Sequence, residues 1–296
     1  MRYLRLAHRA LIACSGEDVP AFLQGLVSND VSRLKKGEAV YAALLTPQGK
    51  FLHDFFLLPW QNSILVDCDR PSLPDLWQRL NMYKLRSKVT VAAKEDIGVV
   101  ALWGDKDSGF GIQDSGFEVF PDPRLPQLGY RIVGETAAIE AWCVDRKMDQ
   151  SSIEEYDRLR LELGIPEGTR DMIQNKSLLL EFGFEDLHGV DFKKGCYVGQ
   201  EVTARSKYRG QVRRFIYQVR AANGTLPPPG TPVMLDDAPI GELRSSAGNI
   251  GLALLKVAEV EKANATRAGL RIGDIPLTAS IPPWVTHPPV ALTMEE

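Results

Sequence analysis

Phe192-Lys193-Lys194-Gly195-Cys196-Tyr197-Val198-Gly199-Gln200-Glu201, running on to Ala204-Arg205, carries the densest chemical signal in the chain. Its cysteine lies between two glycines, Gly195 and Gly199, residues that let a backbone turn sharply or approach a ligand closely. Two lysines precede the cysteine and an arginine follows it. Nearby cations favour thiolate over thiol and draw a cysteine pKa from about 8.5 toward neutrality. A helix beginning after Gly199 acts in the same direction. Such a thiolate can serve as a nucleophile, a metal or cluster ligand, or a redox handle. The bland alternative is a small buried apolar residue. That reading suits Cys14, Cys68 and Cys143, which lie in strand-like or helical apolar runs.

Outward from this stretch, the composition is that of an ordinary globular protein. The 296 residues are 44% hydrophobic and 25% charged, with a formal net charge of −3. That length suits two packed units, or one large domain with an appendage. The weak negative charge implies no global affinity for nucleic acid or an anionic membrane. Four irregularly spaced cysteines without a CxxC pair argue against a disulfide framework and for a reducing, cytoplasmic setting. The four histidines do not cluster with them, so no metal site is expected. No apolar run approaches the roughly 20 residues that span a bilayer. Leu11-Ile12-Ala13-Cys14 resembles a lipoprotein cleavage box, but His8 and Arg9 leave too short an apolar stretch for a signal peptide. A buried strand is expected there instead.

Periodicity lays out the elements. A strand over 10–14 leads to a helix starting near Asp18, with Pro20 in its first turn. Strands over 39–45 and 51–58 flank the tight hairpin Thr46-Pro47-Gln48-Gly49-Lys50. A third strand over 64–68 precedes a helix near 74–86 and a strand over 88–93. This order predicts an α+β fold with a largely antiparallel sheet. Residues 104–128 read as loops around one strand and as a possible subdomain break. Residues 151–163 form a clear helix, capped by Ser151 or Ser152 and stopped by Gly164 and Pro166. Beyond Gly210, short β-like runs alternate with Gly, Pro and Asn, as in a small antiparallel barrel. Residues beyond Pro282 read as a loose tail. The domains expected are 1–208, an α+β region, and 209–296, a barrel with its tail.

Lys194-Gly195-Cys196-Tyr197-Val198-Gly199-Gln200-Glu201 resembles the signature K-G-C-[YF]-x-G-Q-E of the YgfZ family, a relative of the glycine-cleavage aminomethyltransferases (GcvT). Leu23-Gln24-Gly25 and Asn29-Asp30-Val31 resemble the N-terminal signature, and Leu159 to Pro166 resembles the L-R-x-E-x-G stretch. The resemblance implies a GcvT-like folate-binding fold, with tetrahydrofolate or a derivative as cofactor. It also implies an accessory role toward iron–sulfur proteins and an association with tRNA modification. It assigns Cys196 the essential thiol chemistry, with Lys194, Gly195, Tyr197, Gly199, Gln200 and Glu201 as motif support. Glu162 matches the pterin-contacting glutamate; a carboxylate can accept two bonds from a ring N–H and an exocyclic amine. Tyr156 would stack on the pterin, although an aromatic there also suits a core. Glu181 matches a ligand-proximal motif, and Arg205 falls in the same folate-binding set.

Two other function classes stay open. A one-carbon transferase would need a carboxylate at the position where aminomethyltransferases carry an Asp-Asp pair; here the pair is His53-Asp54. A non-catalytic module for RNA or an acidic partner would use segment 193–214. There Lys193, Lys194, Arg205, Lys207, Arg209, Arg213 and Arg214 face the single acid Glu201. That basic run also suits the glutamate tail of folate, or a merely solvated linker.

Overall fold

The computed structural model describes residues 1–104, 115–208, 212–266 and 269–289. Two compact units emerge. The first comprises Met1–Leu45, Leu52–Tyr156 and Leu187–Val198; the second comprises Thr46–Phe51, Asp157–Asp186 and Gly199–Glu296.

The first unit holds two five-stranded sheets. One has the order β3 (Val40–Leu45), β4 (Phe51–Trp60), β5 (Ser63–Asp69), β2 (Arg9–Ser15), β6 (Thr90–Lys94). Strand β2 pairs antiparallel with β5 on one side and β6 on the other, so the run resembling a cleavage box is a central strand buried from Arg9 to Cys14. Helix α1 (Val19–Gln24) begins where Pro20 predicts and ends at Gly25. Helix α2 (Leu73–Tyr83) buries Leu76 and Leu80, four residues apart on one face. Both helices feed a core with Ile12, Leu44, Phe55 and Val66.

The other sheet runs β10 (Asp149–Gln150), β1 (Arg2–Arg5), β7 (Gly98–Trp103), β9 (Tyr130–Gly134), β8 (Glu118–Pro121). Its pairings are antiparallel except for β1 with β10. Helix α3 (Thr136–Asp145) covers it through Ile139 and Cys143. Strands β7 and β9 and helix α3 were not anticipated from sequence. A short continuous apolar run such as Val99-Val100-Ala101-Leu102 has no period to reveal its state. Of the expected break over 104–128, residues 105–114 lie outside the described residues.

Five buried charges bind the first unit's two sheets together. Asp67 of β5 accepts from Arg9 Nε (2.7 Å) through one carboxylate oxygen and from Arg131 Nη1 of β9 (2.8 Å) through the other. Arg131 Nε also reaches Asp122 (3.3 Å), which is gripped in turn by Arg124 Nε and Nη2 (3.0 and 2.8 Å). The Arg131 guanidinium lies 3.8 Å from the Phe56 ring centroid, with Arg124 at 4.9 Å from the same ring. Burial alone would raise the Asp122 pKa, but the Arg124 charge beside it outweighs burial and holds the carboxyl below its usual range.

The second unit contains α5 (Gly168–Asp171), α6 (Gln200–Tyr208), α7 (Val257–Thr266) and a closed six-stranded barrel. The barrel strands are β11 (Arg214–Ala221), β12 (Pro232–Leu235), β13 (Ala238–Ala247), β14 (Ile250–Lys256), β15 (Leu270–Ile272) and β16 (Ile275–Ser280). All its pairings are antiparallel, and β-bulges interrupt β12 and β13, which helps the sheet curl shut. Over 283–289 the expectation of a loose tail is overturned; its remainder, 290–296, lies outside the described residues. Trp284 is buried and donates its Nε1 to Leu163 O (2.9 Å), while Thr286 Oγ1 donates to Asp186 (2.5 Å). A large aromatic with a polar handle can anchor an otherwise irregular segment. Helix α4 (Ile153–Glu162) spans the change from the first unit to the second, and the Ser152 hydroxyl accepts from Glu155 N at its start.

Replacing Asp67 by Ala leaves Arg9 and Arg131 as buried cations short of a carboxylate. The expected loss of stability is ~3–5 kcal/mol, read from the midpoint of denaturant unfolding; a change below ~1 kcal/mol would show that the network is dispensable.

Candidate functional site

The motif segment folds as an irregular turn. It precedes α6, whose first residue is Gln200. Gly199 has φ +83°, a left-handed conformation that favours glycine, whereas a Cβ at Gly195 would meet open space. Only the second glycine is therefore demanded by the local backbone. Cys196 is exposed, and Cys14, Cys68 and Cys143 are buried. Burial pushes the Cys14 and Cys68 thiols up to about 12 and the Cys143 thiol up to about 11. These three behave as core residues.

Lys194 is placed differently from the sequence reading, which assigned both lysines to the thiol. Its side chain is buried and its ammonium donates to three carbonyls: Gln24 (2.8 Å), Val27 (2.5 Å) and Asn29 (2.8 Å). Three donors thus meet three acceptors, one from the last residue of α1 and two from the loop that follows it. The ammonium lies 5.0 Å from the Tyr197 ring centroid. Burial draws its pKa down to about 8, while Asp30 and Asp191 pull it back up. Lys193 is exposed.

The carbonyl cage belongs to a wider polar latch. Asn29 Nδ2 donates to Tyr41 O (2.8 Å) and His188 O (2.6 Å), and Ser28 Oγ donates to Gly189 O (2.6 Å). Asp191 accepts from Lys193 N (2.6 Å) and Lys194 N (3.2 Å) and pairs with Arg33 (2.5 Å). Sequence reasoning quoted Asn29-Asp30 only as a resemblance and missed Ser28 and Asp191. A buried-looking polar triplet, Ser28-Asn29-Asp30, between apolar Val27 and Val31 was the available signal.

The expected folate residues fall into distinct environments. Tyr156 is only 2% exposed, and its ring centroid lies 5.4 Å from that of Trp103 in a tilted contact. A ring this deeply buried presents no exposed face for the stacking role expected from the sequence. Glu162 is exposed at the end of α4, and one of its oxygens accepts from Arg158 Nε (2.9 Å). An exposed i,i+4 pair of this kind competes weakly. Glu181 is buried; it accepts from Arg214 Nε (3.0 Å) and Leu178 N (3.3 Å). Arg205 is exposed on α6 and pairs with Glu201 (2.5 Å). Strand β11 links two of these sites: Arg214 holds Glu181, and Gln218 Nε2 donates to the carbonyls of Leu161 (2.7 Å) and Glu162 (2.9 Å). The neighbour of the motif glutamate, Arg160, is a structural clamp. It is 2% exposed and binds Asp171 (2.9 Å) and Ser245 Oγ (3.0 Å).

The basic run over 193–214 loses much of its free charge. Lys194 is caged, Arg205 pairs with Glu201, Lys207 with Glu185 and Arg214 with Glu181. Arg213 is exposed, and Arg209 lies outside the described residues. His53 is buried on β4 with its Nε2 2.6 Å from Asp75, and burial lowers its pKa. Asp54 is buried as well and accepts from the Tyr41 hydroxyl (2.8 Å). Among the described residues, no three His, Cys, Asp or Glu side chains gather as a metal-binding group, and no helix is long and apolar enough to cross a membrane.

Two substitutions separate latch from thiol. Lys194→Met should cost about 1–3 kcal/mol, because it strands buried carbonyls, and should speed amide exchange over 27–31; unchanged exchange would show that the cage holds nothing. Cys196→Ala should leave stability within about 0.5 kcal/mol and abolish rapid alkylation by iodoacetamide under native conditions. Fast labelling that persists in this variant would place the reactive thiol elsewhere.

Comparison with known proteins follows the same geometry. Residues 211–287 match the CAF17 C-terminal beta-barrel domain family, which coincides with the closed barrel. The glycine cleavage system aminomethyltransferase T from Bartonella henselae superposes with a TM-score of 0.77 at 18% identity, covering 96% of this chain and 86% of that one. The fold is therefore α+β and GcvT-like, with antiparallel sheets, helices and a C-terminal β-barrel. The mitochondrial iron–sulfur cluster assembly factor IBA57 homolog of Coccidioides immitis is 30% identical, over 96% of this chain and 83% of its own length. The mitochondrial IBA57 of Homo sapiens is also 30% identical, over 95% of this chain and 84% of its own. These mitochondrial relatives overturn the cytoplasmic expectation: reduced, unpaired cysteines report a redox environment, and more than one compartment supplies it. Likeness at this level along nearly the whole of this chain and more than four fifths of each relative shows that the chain belongs to the IBA57 family of iron–sulfur cluster assembly factors.

Proposed function

We propose that this protein is an accessory factor in iron–sulfur cluster assembly, with iron–sulfur proteins as its partners and Cys196 as its working group. The observation that carries the reading is the exposed thiol of Cys196 in a segment anchored by the buried Lys194 ammonium. An anchored loop presents a soft sulfur ligand or nucleophile to a partner at low cost in ordering entropy. The names of the relatives support the role. The Lys194–Glu201 stretch, with its YgfZ-like pattern, supports the same placement of the chemistry.

Tetrahydrofolate or a derivative is the proposed small-molecule ligand, within a folate-binding region over 1–208 that precedes the barrel and tail over 209–296. The fit is partial. Glu162 offers an exposed carboxylate to a donor edge, and Arg205 is an exposed cation for an acidic tail. Glu181 would contribute by holding Arg214 rather than by direct contact. Tyr156 would support α4 from within the core. Bound folate would supply a reduced pterin. The one-carbon transferase reading gains nothing from Asp54, which is buried and engaged with Tyr41.

In a strain lacking the endogenous factor, the wild-type chain should restore iron–sulfur enzyme activity and Cys196→Ala should not; equal rescue rejects the thiol role. In a tetrahydrofolate titration under reducing conditions, Glu162→Ala should weaken binding about tenfold, or about 1.4 kcal/mol. Identical isotherms would remove Glu162 from the site.

A further inference from the structure

A recess lined by none of the motif residues opens in the first unit with a volume of about 270 Å³. Four cationic residues from separate chain segments converge on it: Arg5 at the end of β1, Arg9 at the start of β2, Arg70 just after β5 and Lys94 at the end of β6. Glu95 is the one acid in its lining, so the formal charge there is strongly positive in a chain of net −3. Arg9 is answered by Asp67. Among the described residues Arg70 is not paired with an acid. Its Nε and Nη2 donate to the neutral carbonyls of Ala7 (2.9 Å) and Arg9 (2.8 Å), which fix the guanidinium and leave its charge intact. Arg5 has no carboxylate partner among the described residues, and Lys94 has only a long contact to Asp96 (3.8 Å).

The wall opposite is tightly built. A Cβ on Gly98 would come within 2.6 Å of Thr136 Cγ2, so glycine is what lets the start of α3 close on β7. Glu135 already accepts from Ala137 N and Ala138 N, so the start of α3 has few free donors, and side-chain cations supply the attraction.

We propose that this recess binds a phosphate group, free or carried by a small phosphomonoester. The carbonyls of Ala7 and Arg9 take the Nε and Nη2 of Arg70 and hold its guanidinium in place, so its Nη1 joins Arg5 and Lys94 as donors to a tetrahedral oxyanion, and two or three unneutralised cations match a charge near −2. The volume lies just below the 300–1,000 Å³ range of common ligand sites, which suits a compact anion and excludes a bulky one.

The test is calorimetric titration of the full chain at low salt with inorganic phosphate, pyrophosphate, glycerol 3-phosphate and citrate. One saturable equivalent of a phosphate compound is expected, weakening as chloride is raised. Inorganic phosphate and glycerol 3-phosphate distinguish a free anion from a carried group. Lys94→Ala should weaken binding several-fold, and the double variant Arg5→Glu/Lys94→Glu should weaken it more than about tenfold, both with an unchanged melting temperature. No saturable binding to wild type, undiminished binding by the folded double variant, or citrate binding as tight as pyrophosphate would each overturn the proposal.

Discussion

Asp67 is the point on which the first unit turns. Its two carboxylate oxygens accept from arginines on different sheets, Arg9 on β2 and Arg131 on β9. Charge buried this deeply gains nothing over well-packed hydrocarbon unless every partner is in register. The network therefore acts as a geometric condition: the sheets must meet so that Asp67 sees both guanidinium groups while Phe56 lies flat against Arg131. A slip by one residue in β5 would turn Asp67 to the opposite face and leave three arginines sharing only Asp122.

The same economy recurs on a smaller scale around the motif. Lys194 satisfies three carbonyls of the last residue of α1 and the loop after it, and Asn29, Ser28 and Asp191 add further bonds around them. These bonds join residues 24–33 to residues 188–194, so the cysteine that follows sits on an anchored base. In the second unit, Arg160 plays the corresponding part, with Asp171 and Ser245 joining α4, α5 and β13. In both segments a conspicuous polar residue of the motif serves architecture, and a residue close by, Cys196 or Glu162, is exposed.

Much of this was legible in sequence because it depends on neighbours. Pro20 marked the first turn of α1, Thr46 to Lys50 formed the expected turn with Gly49 N bonded to Thr46 O, and Ser152 capped α4. The Gly- and Pro-punctuated runs after 210 closed into a barrel as their texture implied, although β15, three residues long, was too short to stand out and Pro276 disguised β16 as a non-strand. The environments of Lys194 and Tyr156 were not legible. Nothing in a linear order says whether a lysine next to a cysteine points at sulfur or at carbonyls from residues 24–29, or whether a tyrosine faces a ligand or Trp103.

Sequence by itself determined the fold class and the contrast between Cys196 and its three core counterparts, and it singled out the segment for which a chemical role is proposed. Each follows from local composition: periodicity, turn residues and the polarity of the immediate flanks. Tertiary structure alone decided which charges are spent and which stay free. A side chain's electrostatic partner is set by proximity in space, and the pairs that matter here, Asp67 with Arg131 and Lys194 with Val27, lie 64 and 167 residues apart.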